Sequence, residues 1–369
     1  MQTSNGVRRI SVNGRFLFRP ATGVDRFAFE IMRSIDALIA ERDPSVAGLD
    51  LELLVPDGPY AIANPFGRIP MRTVQGRRGQ AWEQWALPGA ARGSLLLNLC
   101  NSAPLFMRNQ ITVIHDAAPV RVPDSYSRAF RSWYRVMAPC VGRAARRIVT
   151  VSRFSRGELI DAYHIPGRKI GVISESGEHM LRHEEDETIL SRHGIGARPF
   201  VLAVSSLNRH KNFRLVIDAL RHVGEAEFDV VVAGGTDPAV YGSGAEPLPE
   251  YVKHVGFVSD GELKTLFRHA LCFVHPSRYE GFGLPPVEAM TLGCPIVVAD
   301  LPAVREACGE AAIYVSPDDP AALAAALLRV SGDPAERDAM RARGLARAAE
   351  LTWRASAVQL LAEIRPCVA

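Results

Sequence analysis

The run from 275 to 289, His-Pro-Ser-Arg-Tyr-Glu-Gly-Phe-Gly-Leu-Pro-Pro-Val-Glu-Ala, sets two carboxylates, Glu280 and Glu288, on either side of a glycine-containing turn. Gly281 and Gly283 let the backbone approach a ligand closely and adopt dihedrals closed to other residues. Pro285 and Pro286 suit the first turn of a helix, where a missing N–H does no harm. Backbone N–H groups at such a helix start favour an anion. One carboxylate can then face a sugar while the other accepts hydrogen bonds from ribose hydroxyls. Two glutamates at this spacing alone more often lie on a solvated face. The full string after a buried strand is what points to a ligand.

A second stretch, 205–213, reads Ser-Ser-Leu-Asn-Arg-His-Lys-Asn-Phe and places Arg209 and Lys211 in a turn before a helix. A diphosphate leaving group needs its negative charge offset. No Asp-x-Asp metal motif is present, and these two cations with a helix N-terminus can serve instead. His210 occupies the other slot for the second phosphate contact. His115 and Asp116 follow an apolar run at 111–115, where a strand would end and ligands bind in open α/β sheets. The neutral His115 ring could hydrogen-bond a sugar hydroxyl, with Asp116 orienting the ring or an acceptor hydroxyl. A loop at 14–26 brings the Gly23 amide toward a phosphate and Arg26 toward acceptor or phosphate. Ser152 reads as a helix cap. Gly234-Gly235-Thr236 lacks the Gly-x-Gly-x-x-Gly pattern of a nicotinamide site.

The 275–289 string resembles the E-x7-E signature of family-4 retaining glycosyltransferases, which have the two-domain GT-B fold. That resemblance implies roles for matching residues. Glu280 is the glutamate near the transferred sugar, and Glu288 binds ribose. Gly281, Phe282, Gly283 and Leu284 form the loop whose amides reach the sugar and distal phosphate. Lys211 and Arg209 match the basic turn, His115 matches the His-Asp turn, and Gly23 and Arg26 match an opening Thr-Gly-x-x-Arg loop. Asn98 with Asn101, and Trp82-Glu83-Gln84, resemble first-domain segments that border the acceptor in these two-domain glycosyltransferases. The catalytic set is then His115, Glu280, Arg209 and Lys211. The donor is a nucleotide-diphospho-sugar, and no metal or other cofactor is expected. The opening loop is similar to that of bacterial mannosyltransferases of exopolysaccharide assembly, which implies GDP-mannose and a glycan or polyprenyl-diphosphate-linked acceptor. UDP-sugars and dTDP-rhamnose stay open. So do a nucleotide-sugar epimerase or hydrolase of similar fold and a non-catalytic sugar-nucleotide-binding protein.

Strand and helix patterns alternate throughout, which argues for parallel sheets covered on both faces. Extended runs are expected at 9–13, 51–55, 95–99, 111–115 and 147–151, with a helix at 27–39. After a polar stretch at 183–198 come strands at 200–205, 229–233, 252–255, 271–274 and 295–299. Helices are expected at 213–223, 261–269, 287–291, 320–330 and 353–364. The fold class is therefore α/β, two Rossmann-like domains facing across a cleft. We expect an acceptor-binding domain at 1–185, a nucleotide-sugar domain at 186–352, and a tail at 353–369 that packs back on the first.

The 369 residues are 47% hydrophobic and 22% charged, enough for two cores, and the net charge of +3 is too mild to argue for nucleic acid. Six cysteines without CxxC or zinc spacing read as free thiols of a reducing compartment. No apolar run is long enough to span a bilayer, and the first residues lack a signal-peptide core. A cytoplasmic enzyme is expected, including one at the inner face of the membrane. Arginines 128, 131, 135 and 143 interleave with Phe130, Trp133 and Tyr134. This stretch is a solvated amphipathic helix or a surface facing anionic lipid.

Overall fold

The computed structural model describes residues 8–19, 22–58, 63–205, 209–224, 227–235 and 251–368. The chain divides into two compact units. The first comprises Met1–Val120, Arg128–Glu175 and Trp353–Ala369, and the second comprises Arg121–Ser127 and Ser176–Thr352.

The first unit is built on a seven-stranded sheet in the order β3-β2-β1-β4-β5-β6-β7. Its strands are β1 (Arg8–Asn13), β2 (Leu49–Pro56), β3 (Met71–Val74), β4 (Leu95–Asn98), β5 (Gln110–Val113), β6 (Arg147–Thr150) and β7 (Ile170–Val172). All pairings are parallel. Their central residues form fully buried runs, Leu95–Asn98 and Gln110–Val113 among them, as a sheet covered on both faces requires. The strand order reverses between β1 and β4, the switch point at whose carboxyl edge such sheets bind ligands. The Trp353–Ile364 helix belongs to this unit. Trp353 meets the Phe27 ring edge-on at 5.9 Å, and Arg354 pairs with Glu41 and Asp43. Arg147 pairs with Glu363. A Cβ on Gly171 would lie 2.5 Å from the Glu363 carboxylate and would push that side chain from its place beside Arg147.

The second unit carries a six-stranded parallel sheet in the order β10-β9-β8-β11-β12-β13. Its strands are β8 (Phe200–Ser205), β9 (Asp229–Gly234), β10 (Val252–Gly256), β11 (Cys272–His275), β12 (Ile296–Ala299) and β13 (Ala312–Val315). The core under it joins Val201, Val230, Val232 and Val274 to Val216 and Leu220 of the Phe213–Val223 helix and Leu323 and Leu327 of the Pro320–Gly332 helix. Here the order reverses between β8 and β11. All six cysteines are free, and burial pushes the thiols of Cys272 and Cys308 up to about 12, leaving them unreactive. Among the described residues no helix is long and apolar enough to cross a membrane.

Candidate active site

The basic turn and the 275–289 loop meet at the second unit's switch point. Lys211, in the Arg209–Lys211 turn after β8, donates from Nζ to Glu280 Oε1 at 2.7 Å. His275, the last residue of β11, reaches the same oxygen with Nε2 at 2.8 Å. Burial alone would raise the Glu280 carboxyl. The Lys211 charge and His275 outweigh it and hold the group well below the ordinary carboxylate range, so it is ionised at neutral pH. Asn212 fixes the turn in register. Its φ of 55° is left-handed, and its amide donates to Pro276 O at 3.1 Å and Pro317 O at 2.8 Å. The Arg278 amide donates to His210 O at 2.7 Å.

His210 and Arg209 differ in kind. The His210 ring is buried, packs in parallel with Tyr126 at 6.3 Å and leaves Nδ1 without a partner among the described residues. Burial, helped by the Lys211 charge, lowers it to about 4, so at neutral pH it carries no charge to offer a phosphate. Arg209 is exposed and makes no ion pair among the described residues. Ser206, Leu207 and Asn208, and likewise Thr236, lie outside the described residues.

Gly283 precedes the Leu284–Thr291 helix with φ of 108°, a conformation glycine alone adopts readily. Pro285 and Pro286 bring no N–H to that first turn, and Val287 N points to Gly283 O. The donors this segment can aim at an anion are therefore the amides of Phe282, Gly283 and Leu284. Glu288 is met by a partner the sequence did not suggest, the buried His179, whose Nε2 lies 3.0 Å from Oε1. Gly177 makes this possible, because a Cβ there would sit 2.7 Å from Glu288 Cα and Val287 O.

In the first unit His115 follows β5, and its amide donates to Asn101 Oδ1 at 2.7 Å. The ring is buried edge-on to Phe27. Nδ1 faces Glu175 Oε1 and Nε2 faces Leu99 O, each at 3.2 Å. Both ring nitrogens are thus engaged, and a sugar hydroxyl reaches this ring only by displacing one contact. Asp116 accepts from the Ala118 amide at 2.8 Å. Gly23 opens the Gly23–Ala40 helix, whose Asp25 carboxylate accepts from the Thr22 hydroxyl at 2.6 Å and pairs with Arg19. An anion at Gly23 would meet that carboxylate. Arg26 lies half-buried in the same turn.

Asn98 departs from expectation. It is fully buried at the end of β4, donates to Gln110 Oε1 and accepts from Asn13 Nδ2, both at 3.1 Å. It faces a buried polar network instead of an acceptor, because the pleat turns this position inward. The centre of that network is Glu83, held by Asn13 at 2.7 Å, Arg15 at 2.7 Å and Ser102 at 2.9 Å. Among the described residues no group of His, Cys, Asp or Glu is placed to hold a metal ion.

Residues 185–347 match the glycosyl transferases group 1 family. The chain is 27% identical over 260 residues to the O-antigen chain mannosyltransferase B of Escherichia coli, an alignment covering 68% of each. It is 30% identical over 218 residues to the O-antigen chain mannosyltransferase RfbU of Salmonella typhimurium, covering 58% of each, so it spans less than two thirds of that relative. Its fold is similar to that of the Anabaena protein HepE in complex with UDP and glucose, with a TM-score of 0.67 at 16% identity over 98% of each chain. With two parallel α/β units, the chain has the two-domain GT-B fold of that structure, and its second unit carries the match to the glycosyl transferases group 1 family.

Proposed function

We propose that this protein is a retaining, metal-independent glycosyltransferase that moves a hexose, with mannose favoured, from a nucleotide-diphospho-sugar. The acceptor is a glycan or a polyprenyl-diphosphate-linked glycan of cell-surface polysaccharide synthesis, at the inner face of the cytoplasmic membrane. The observation that carries this reading is the Lys211–Glu280–His275 cluster at the switch point beside the 282–284 amides. It joins a cation for the leaving phosphate, an ionised carboxylate and a row of N–H donors in one place. Arg209 is the second cation, since a neutral His210 has no charge to give. Glu288, oriented by His179, accepts from the ribose hydroxyls. As the glycosyl bond weakens, charge grows on the phosphate, Lys211 turns toward it, and the departing oxygen takes the acceptor's proton on the same face. The O-antigen mannosyltransferase relatives favour mannose and a cell-surface glycan.

The test is nucleotide release from GDP-mannose with and without a polyprenyl-diphosphate-linked acceptor, with and without EDTA. Acceptor-dependent release that is indifferent to EDTA supports the reading. Release that ignores the acceptor favours a hydrolase or epimerase, and chelator-sensitive release removes the metal-free mechanism. A thermal-shift screen across nucleotide-sugars identifies the donor, because binding raises apparent stability.

A further inference from the structure

The first unit displays two large aromatic side chains that its core does not use. Trp85 is 77% exposed and Phe106 is 92% exposed. Their positions follow from local structure. Residues Trp82–Ala86 form a π-turn in which Leu87 N bonds to Trp82 O. The wider turn swings Trp85 away from the face on which Trp82 is buried and bonded to Val74 O at 2.9 Å. Gln84 then ties this turn to the next loop, donating to Ala103 O at 3.0 Å and accepting from Leu105 N at 2.9 Å. That pairing ties the helical turn that bears Trp85 to the loop that bears Phe106. Leu105 packs on the same apolar cluster as Trp133 and Tyr134 of the Arg128–Ala144 helix. The helix in turn exposes Arg128, Arg135 and Val136.

A groove of about 420 Å³ runs beside Trp85, lined by Gly76, Arg77, Ala81, Trp85 and Ala86. Its walls are apolar apart from one guanidinium. The exposed charges along segments 77–108 and 128–135 have one sign. Arg77, Arg78, Arg108, Arg128 and Arg135 are exposed, and none has a carboxylate partner among the described residues. Between Asp57 and Asp116 the sole acidic residue is Glu83, which is 1% exposed and spent on the buried network. No acidic residue occurs between Asp124 and Glu158.

We propose that this face docks on an anionic lipid bilayer, with Trp85 and Phe106 inserted at the headgroup level and the arginines on lipid phosphates. Exposed aromatics ringed by unpaired cations match such an interface in both polarity and charge. A protein partner would need an acidic counterpart, whereas the bilayer supplies the negative charge uniformly. The purpose of docking rests on the proposed lipid-linked acceptor, but the binding itself does not.

The test is co-sedimentation of the full chain with phosphatidylglycerol-rich and with pure phosphatidylcholine vesicles. We expect binding to the anionic vesicles alone, weakened by high salt. Trp85→Ala with Phe106→Ala should lower the partition by about tenfold or more, and Arg77→Gln with Arg78→Gln and Arg108→Gln should abolish the lipid preference. Both variants should keep the wild-type thermal midpoint, since the removed side chains are exposed. Nucleotide binding should also be unchanged, which separates failure of docking from failure of the proposed reaction. Equal binding by wild type and the aromatic variant would overturn the proposal. So would equal binding to both vesicle types. The proposal also fails if these aromatics instead hold a dimer together, shown by sedimentation velocity in which only wild type self-associates while vesicle binding is unaltered.

Discussion

Replacing Lys211 with Met separates its structural role from its chemical one. Lys211 Nζ lies 2.7 Å from Glu280 Oε1, with the side chains 22% and 11% exposed. Removing one member of a buried ion pair costs about 3–5 kcal/mol because the other charge stays behind. Glu280 keeps His275 at 2.8 Å. Lys211 is also partly hydrated, so the loss should fall to about 2–3 kcal/mol. For a unit of this size that is a fall of about 5–10 °C in Tm. Adding Glu280→Gln removes the stranded charge, and the double variant should regain most of the lost Tm. Turnover should behave differently. If Lys211 offsets charge on the departing phosphate, its loss costs about 10²–10³ in kcat, and the second substitution restores none of it. Differential scanning fluorimetry and a coupled nucleotide-release assay on wild type, both single variants and the double variant supply the data. Turnover of Lys211→Met within about threefold of wild type, or recovery of turnover together with Tm in the double variant, would refute the reasoning.

Three further outcomes follow. The folded second unit holds His210 neutral, with its protonation lowered from an ordinary 6.5 to about 4. The unfolded chain therefore binds the extra proton across that window, and the contribution is intact above 6.5 and lost as pH falls toward 4, at most about 3 kcal/mol. Urea midpoints measured across this range should flatten in His210→Asn; an unchanged slope means another group titrates. Gly283→Ala forces a side chain into φ of 108° with its Cβ 3.4 Å from Val304. It should cost about 1–3 kcal/mol and weaken nucleoside diphosphate binding in calorimetry. Gly224→Ala, at φ of 73° with nothing near its Cβ, should lose stability without losing affinity. Glu175→Gln keeps a hydrogen-bonding partner for His115 but not the charge, and should lower kcat about tenfold at unchanged donor KM; a pure KM effect would assign His115 to donor binding.

Much of the fold was legible because central parallel strands are continuous apolar runs, and the expected segments at 200–205, 213–223 and 353–364 coincide with observed elements. The strands that pattern reading omits are edges. Met71–Val74 exposes Arg72 and Thr73, Ile170–Val172 is three residues long with a glycine at its centre, and Ala312–Val315 is mostly half-exposed. Without burial on both faces such segments have no apolar signature. The Pro334–Ala349 helix hides for a related reason: its inward stripe of Met340, Gly344 and Ala348 is narrow, and Gly344, which lies against Met290, adds little to local hydropathy.

Legibility of the site follows sequence distance. The Glu280 loop and the basic turn could be read as local motifs, but that pattern gives no role to His275, five positions before Glu280 at the end of β11. The partners of His115 and Glu288 could not be read, because Glu175 and His179 stand 60 and 109 residues off and no local pattern marks them. These two lie within one short span. Glu175 is the last residue of the first unit's central segment, and Ser176 begins the second unit's long segment. The neighbouring crossing at Thr352 and Trp353 is fastened to this span within each unit, by Ser176 Oγ on Leu351 O at 2.7 Å and Ser356 Oγ on Ser174 O at 2.8 Å. Gly177 packs the span on Val287 and Glu288 too closely for any Cβ. The segment that links the units therefore delivers one buried partner to a candidate residue in each. Its side chains are fixed by burial and hydrogen bonds on both sides of the crossing, so a change at 175–179 acts on His115 and Glu288 without touching either motif.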